Sequence, residues 1–203
     1  PGYTFAGWYN GSDKVENGTV VTAPMTLKAY WTASEVNYTV IHWWENADDD
    51  GYSFQESETK KGLTGSEVNA KAKAYDGFTA QPVTKKTIKG DGSTIVSVYY
   101  KRNIYKVEFF NKNGRTQYKD LTIEAKYEQD ISKQWPTKDG SSSWLTKPNG
   151  NTFQANIATM PLGGAKFYGP KTGYDTETAY CYVQVLPGET GTVNVNSIQY
   201  KLD

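Results

Sequence analysis

Gly2-Tyr3-Thr4-Phe5-Ala6-Gly7-Trp8-Tyr9 alternates apolar and polar side chains, and Pro24-Met25-Thr26-Leu27-Lys28-Ala29-Tyr30-Trp31 answers it downstream with a second alternation. A period of two is the signature of a strand with one buried face. The chain therefore opens on two strands whose apolar content is mostly aromatic.

Comparing the chain with itself extends this reading. Tyr38-Thr39-Val40-Ile41-His42-Trp43 and Tyr105-Lys106-Val107-Glu108-Phe109-Phe110 share the pattern Tyr-x-Val-x-bulky-aromatic. Leu27-Lys28-Ala29-Tyr30-Trp31 matches Val96-Ser97-Val98-Tyr99-Tyr100, with a weaker echo at Gly164-Ala165-Lys166-Phe167-Tyr168, and Gly2-Tyr3-Thr4 matches Gly77-Phe78-Thr79. The period is about 70 residues, longer than a solenoid repeat and fitting a string of small separate modules.

The first pair of strands is similar to the second half of the Listeria–Bacteroides repeat, also called the internalin B-repeat. That family carries a GYTF-x-GWY segment and closes on an aromatic-ended strand of the TLYAxW type. The resemblance covers residues 1–33 and implies that the module's opening strand and turn lie before Pro1, in a longer repeat-bearing surface protein. The middle of the chain resembles the same group and the mucin-binding-protein repeats, which implies a β-grasp arrangement.

Composition sets outer limits. The 203 residues carry 22 basic and 22 acidic side chains, which leaves no basic footprint for nucleic acid. Aromatics reach 14 % while mean hydropathy is −0.69, a balance suited to strands and turns around small cores. No apolar run approaches the roughly 18 residues that span a bilayer. Cys181 is the single cysteine, so no intrachain disulfide forms. A small domain without disulfides is expected in the cytosol, or on a bacterial surface if its sheets stabilise it. The resemblance favours the second.

The fold expected is mainly β with short helices (α+β): tandem small β-grasp-like modules in an elongated row. Three modules are expected, at 1–33, 34–103 and 104–203, joined by linker-like stretches at 32–37 and 101–104. In the middle module, strands are expected at 38–45 and 53–59, and again at 78–83 and 93–100. Ser66 is expected to cap a short helix over 67–74, with a strand left open as the alternative. The last module begins with a hairpin, 105–111 with 118–125, around Lys112-Asn113-Gly114. A short helix capped by Asp130 follows, then loop over 137–151, a helical turn at 153–159, and strands at 165–168, 178–186 and 191–200. Cys181 is expected to be buried and unreactive. The partial first module is expected to pack on the middle one, with Tyr30 and Trp31 near the junction, because a lone hairpin is marginal in water.

Chemistry-bearing residues are sparse. His42, the lone histidine, is read as a partly buried packing residue, since no cysteine lies near it for a dyad. Asp48-Asp49-Asp50-Gly51 lacks the ligand spacing of an EF-hand and reads as a solvated turn. Glu56, Glu58 and Glu108 alternate on strands without the pairing that glycosidases use. Gly163-Gly164 has no following Gly-Lys-Ser/Thr and is not a phosphate loop. The sequons at Asn10, Asn17 and Asn37 mark exposed turns only. Adjacent Trp43 and Trp44 must point to opposite faces of one strand. Trp43, Trp44, Trp135 and Trp144 are candidates for an aromatic platform for a sugar or protein ligand, but a packing role in small cores is the favoured reading of them. Trp44 and Trp144, the latter in the Ser141-Ser142-Ser143 loop, are the ligand-binding residues singled out.

The function expected is a non-enzymatic stalk or adhesive spacer on a bacterial cell surface, secreted and monomeric, projecting a binding domain. The alternative is a module that binds a host glycan or host protein through exposed aromatics. Neither reading calls for catalytic residues, a metal or another cofactor.

Overall fold

The computed structural model describes residues 1–68 and 70–170. The chain divides into two compact units, Pro1–Asn103 and Ile104–Asp203. The described part is mainly β, built as several small sheets.

In the first unit, β1 (Tyr3–Asn10), β2 (Asp13–Val15) and β3 (Lys28–Ala33) form an antiparallel sheet of order β2-β1-β3. β4 (Glu35–Glu45), β5 (Tyr52–Leu63), β6 (Phe78–Ala80) and β7 (Ile95–Arg102) form a second sheet of order β5-β4-β7-β6. Its central strands, β4 and β7, are parallel, and both outer strands are antiparallel to their neighbours. Alternation in β4 places Tyr38, Val40 and His42 inward. There they join Val68, Ile88, Val96, Val98 and Tyr100 in a buried layer. Each apolar side chain so buried is worth about 1.5–3 kcal/mol.

The second unit uses β8 (Ile104–Phe110), β9 (Ile123–Lys126), β10 (Trp144–Leu145), β11 (Phe153–Gln154) and β12 (Ala165–Tyr168) in the order β9-β8-β12-β10-β11. Again the first strand pairs in parallel with the last of the described strands. Its core gathers Val107, Phe109, Ile123, Ile131, Trp144, Met160 and Phe167. Gly164 makes the parallel pairing possible. It has φ +77°, and a Cβ there would stand 2.2 Å from the Lys106 carbonyl oxygen.

Several local expectations are corrected. The 67–74 helix is absent. The Ser66 hydroxyl turns back to the Leu63 carbonyl, and Glu67 bridges Thr87 in antiparallel fashion. Val68 N–H donates to Lys86 O, while Val68 and Ala70, two apart, both reach the core. Strand-like bonds thus satisfy the backbone that a helix would have used. The linker expected at 32–37 is strand on both sides of Ser34. The loop expected at 137–151 contains β10, because Trp144 and Leu145 are both core residues. The helical turn expected at 153–159 is replaced at its start by β11.

The hairpin at 105–125 forms, with Gly114 at φ +77° in its turn. Its return strand is shorter than expected, since a 3-10 turn at Lys119–Leu121 precedes β9. Asp130 accepts from Ser132 N–H at 2.9 Å, beside a 3-10 turn at Ser132–Gln134. The strands expected at 178–186 and 191–200, and Cys181 with them, lie outside the described residues.

The self-comparison becomes a matched piece of geometry within the first unit. Tyr3, Thr4 and Phe5 pair with Ala33, Thr32 and Trp31, as Phe78, Thr79 and Ala80 pair with Arg102, Lys101 and Tyr100. Gly2 (φ +79°) accepts from Ser34 N–H at 2.9 Å, and Gly77 (φ +81°) accepts from Asn103 N–H at 2.8 Å. Thr4 Oγ1 lies 2.8 Å from Ser34 Oγ, and Thr79 Oγ1 donates to Asn103 Oδ1 at 2.6 Å. Two sheets in one unit thus share one closing motif. The echo at 164–168 is displaced by one residue. Ala165 faces Val107 as Val96 faces Val40, so Ala165, not Gly164, is the counterpart of Val96. A one-residue slip reverses every side chain, and Phe167 accordingly is buried as Val98 is.

Candidate binding surfaces

The structure sorts the tryptophans by face. Trp144 is 0 % exposed, which removes it as a surface platform. Its ring packs 4.7 Å from that of Phe109, and its Nε1 donates to Pro136 O at 3.1 Å. A polar, serine-rich flank suggested exposure, yet the loop folds Trp144 and Leu145 inward. Trp135 also leans on this core, with its Nε1 donating to Ser142 O.

Trp44 points to the core side of the middle sheet. It stacks on Phe78 at 4.4 Å and meets Tyr75 edge-on at 5.1 Å. Its Nε1 is buried with no hydrogen-bond partner, which is unfavourable for an indole N–H. Its neighbour Trp43, which was weighed but not singled out, is the one on the outer face. There it stacks with Tyr99 at 6.4 Å and meets Phe54 edge-on at 6.1 Å, and Tyr52 meets Tyr99 at 4.9 Å. Phe54 and Tyr99 are exposed, as is Ile95 on the same side. The outer face of β5-β4-β7 thus carries an aromatic row that no described segment buries. The signal was the alternation itself. Tyr38, Val40 and His42 had to share a face, which sends Trp43 to the other.

Along the rim of the inner face runs a polar chain. His42 is fully buried, not partly. Its Nδ1 lies 2.7 Å from Tyr100 Oη and its Nε2 lies 3.4 Å from Glu58 Oε1. Lys73 N–H also donates to Tyr100 Oη, so the phenol oxygen links the 70–75 segment to His42. Lys73 Nζ bridges Glu56 at 2.9 Å and Glu58 at 3.9 Å, Lys60 adds a contact to Glu58 at 2.9 Å, and Tyr75 donates to Glu56. The Tyr75 hydroxyl and Lys73 hold the Glu56 carboxyl below its ordinary range, and Lys60 does the same for Glu58. Burial and Glu56 push the Tyr75 hydroxyl well above the usual phenol range. Every member has a partner, and no Ser, Thr or Cys nucleophile joins the chain. It ties β4, β5 and β7 to the 70–75 segment.

The remaining candidates are turn and strand chemistry. Asp49 Oδ1 accepts from Asn46 Nδ2 at 2.8 Å and from Gly51 N–H at 2.6 Å, closing the turn between β4 and β5. Glu108 accepts from Gln117 Nε2 at 2.9 Å and faces Lys166 at 3.8 Å. Among the described residues, no group of three or more His, Cys, Asp or Glu side chains is placed to hold a metal ion, and no helix is long and apolar enough to cross a membrane.

A second aromatic surface lies on the first sheet. Phe5 meets Trp8 at 5.7 Å and Trp31 at 5.2 Å on one face, and Tyr9 meets Tyr30 at 4.6 Å on the other. Tyr30 and Trp31 are exposed rather than at the junction with the middle sheet. That junction is polar and close-set. Ser34 O accepts from Thr64 N–H at 3.0 Å, and a Cβ on Gly2 would stand 2.2 Å from Gly90 Cα.

No family model and no curated protein matches this chain.

Proposed function

We propose that this chain is a non-enzymatic, repeat-bearing segment of a bacterial cell-surface protein, serving as an adhesive spacer of β-grasp-like modules. The observation that carries the reading is the recurrent module. A first strand lies parallel to a later one at the sheet centre, and an antiparallel strand flanks each, in both units. The closing motif also recurs, with β3 passing to β4 through Ser34 alone and β7 to β8 through Asn103 alone. The resemblance of residues 1–33 to a surface repeat supports the setting. Small-angle scattering of the full chain tests it. The expected radius of gyration is well above the roughly 16–17 Å of a compact chain of this length. A value in that range overturns the spacer reading.

A second reading is favoured by one observation, the open aromatic row of Trp43, Phe54, Tyr99 and Tyr52. Such a row suits the apolar face of a sugar or of a host protein. A glycan array probed with the chain and with Trp43→Ala distinguishes it. A signal lost in a folded variant supports binding, and no signal leaves the row as a structural surface.

A further inference from the structure

The two units carry the same aromatic pair in the same place, and among the described residues only one of them covers it. In the register shared by Tyr38–Trp43 and Tyr105–Phe110, Trp43 corresponds to Phe110, and Tyr99 to Tyr168. Trp43 lies opposite Tyr99, and Phe110 opposite Tyr168, each across the central parallel strand pair. The two rings are near-parallel in both pairs, at 19° and 28°. Both pairs stand on the face away from the core, because the adjacent Val98 and Phe167 are the residues buried.

In the second unit two turns reach the pair. The turn after β8 brings Gly114 against the Tyr168 ring. A Cβ on Gly114 would stand 3.1 Å from Tyr168 Cε1 and 3.3 Å from Pro148 Cγ, so glycine lets the backbone come this close. Pro148 belongs to the other turn, Lys147-Pro148-Asn149-Gly150, where Gly150 N–H donates to Lys147 O at 3.1 Å and Asn149 has φ +51°. Proline second and a left-handed residue third is the form of a type II turn. Asn149 N–H donates to Lys112 O at 2.9 Å, which ties the two turns together. Phe110 and Tyr168 are half-buried as a result. In the middle sheet the turn after β4 closes on itself, Asn46 N–H donating to Gly51 O at 2.8 Å, and only the Tyr52 ring reaches Tyr99 from there. Tyr99 stays 42 % exposed and Phe54 58 %.

We propose that the outer face of β5-β4-β7 docks a proline- and glycine-bearing turn of another polypeptide, of the kind the second unit lays against its own pair, with the pyrrolidine ring against Trp43 and Tyr99. This deepens the second reading above and rests on it, taking protein rather than sugar as the ligand. Phe54 meets Trp43 at 83° and Tyr52 meets Tyr99 at 72°. Rings standing edge-on to their neighbours make narrow walls, whereas a pyranose lies on one broad, flat ring face. A pyrrolidine ring against aromatic walls is the contact that proline-recognising grooves use. A turn with proline at its second position is also pre-ordered, so docking costs it little conformational freedom. Ser57 and Thr59, exposed beside the row, can donate to the carbonyls of the turn.

The probe is a head-to-tail cyclised peptide with the sequence of residues 146–151, titrated into the full chain and followed by NMR. The Trp43 indole N–H and the Tyr99 ring should shift, while the Trp44 and Trp144 indoles should not. The Phe110 and Tyr168 rings should not respond, since the chain's own turns lie there. Replacing the peptide's proline by alanine should weaken binding about fivefold or more. Tyr99→Ser should weaken it about tenfold or more, as loss of an anchoring ring does. Phe54→Ser, on another strand, should also weaken it, and an unchanged melting temperature shows that either variant is folded. No shift at Trp43 up to the peptide's solubility limit would overturn the proposal, as would an equal response at Tyr168 or equal binding of the alanine peptide. Cello- and chito-oligosaccharides are titrated in parallel. Shifts at Trp43 with a sugar but not with the peptide would overturn the proposal and leave the second reading standing as sugar binding.

Discussion

Trp31 and Tyr100 end equivalent strands in neighbouring sheets of one unit, and their surroundings differ completely. Tyr100 sits between β4 and β6 with the 66–94 segment over it, and its hydroxyl joins Lys73 and His42. Trp31 has the same antiparallel neighbour, the same closing bonds and the same inward orientation, but only Phe5 for aromatic company. Strand alternation defines a face. Burial requires a second layer and a paired edge. The middle sheet has both, and the first sheet has a pattern without a core.

The largest expected effect breaks or confirms this contrast directly. Tyr100→Ala should destabilise the Pro1–Asn103 unit by about 3–5 kcal/mol, as large-to-small changes of buried aromatics do. Trp31→Ala should cost less than about 1 kcal/mol, since an exposed ring loses little on truncation. Denaturant midpoints, with exchange of β4 amides as the unit-specific probe, measure both. Equal losses would show that the Trp31 face is covered in solution.

A smaller effect concerns the polar chain that only the middle sheet possesses. Glu56 is held below its ordinary value of 4.5 by the Tyr75 hydroxyl and Lys73. A carboxyl depressed in the folded state adds stability above its unfolded pKa and loses it as pH falls through the folded one. Melting temperature should therefore drop as pH falls below about 4.5, and the drop should be shallower in Glu56→Gln. Exchange in the first sheet should not follow that acid loss, because β1–β3 carry no such group against a core. An unchanged acid profile in Glu56→Gln would show that Tyr75 and Lys73 do not couple Glu56 to folding.

How much of this was legible follows from how local each signal is. The alternation in Tyr38–Trp43 located β4, and the Asn113-Gly114 turn located the hairpin of the second unit, because strand faces and turns are decided within a few residues. The same locality misled at 67–74. Alanine and lysine favour a helix there, but the backbone donors are engaged by Lys86 and by the Tyr100 hydroxyl, both remote in sequence. Trp144 was misjudged for the same reason. Its serine neighbours are polar, while the Phe109 and Tyr118 rings that bury it come from much earlier in the chain.

By itself, the sequence determined the strand type of the chain, the recurrence of Gly-aromatic-Thr and Tyr-x-Val-x-aromatic segments, and the opposition of Trp43 and Trp44, since each depends only on backbone period and glycine's access to positive φ. The tertiary structure alone decided which sheets acquire a core and which face of β4 stays open. Those outcomes depend on parallel pairing between strands far apart in the chain, and such pairing leaves no trace in either strand's own residues.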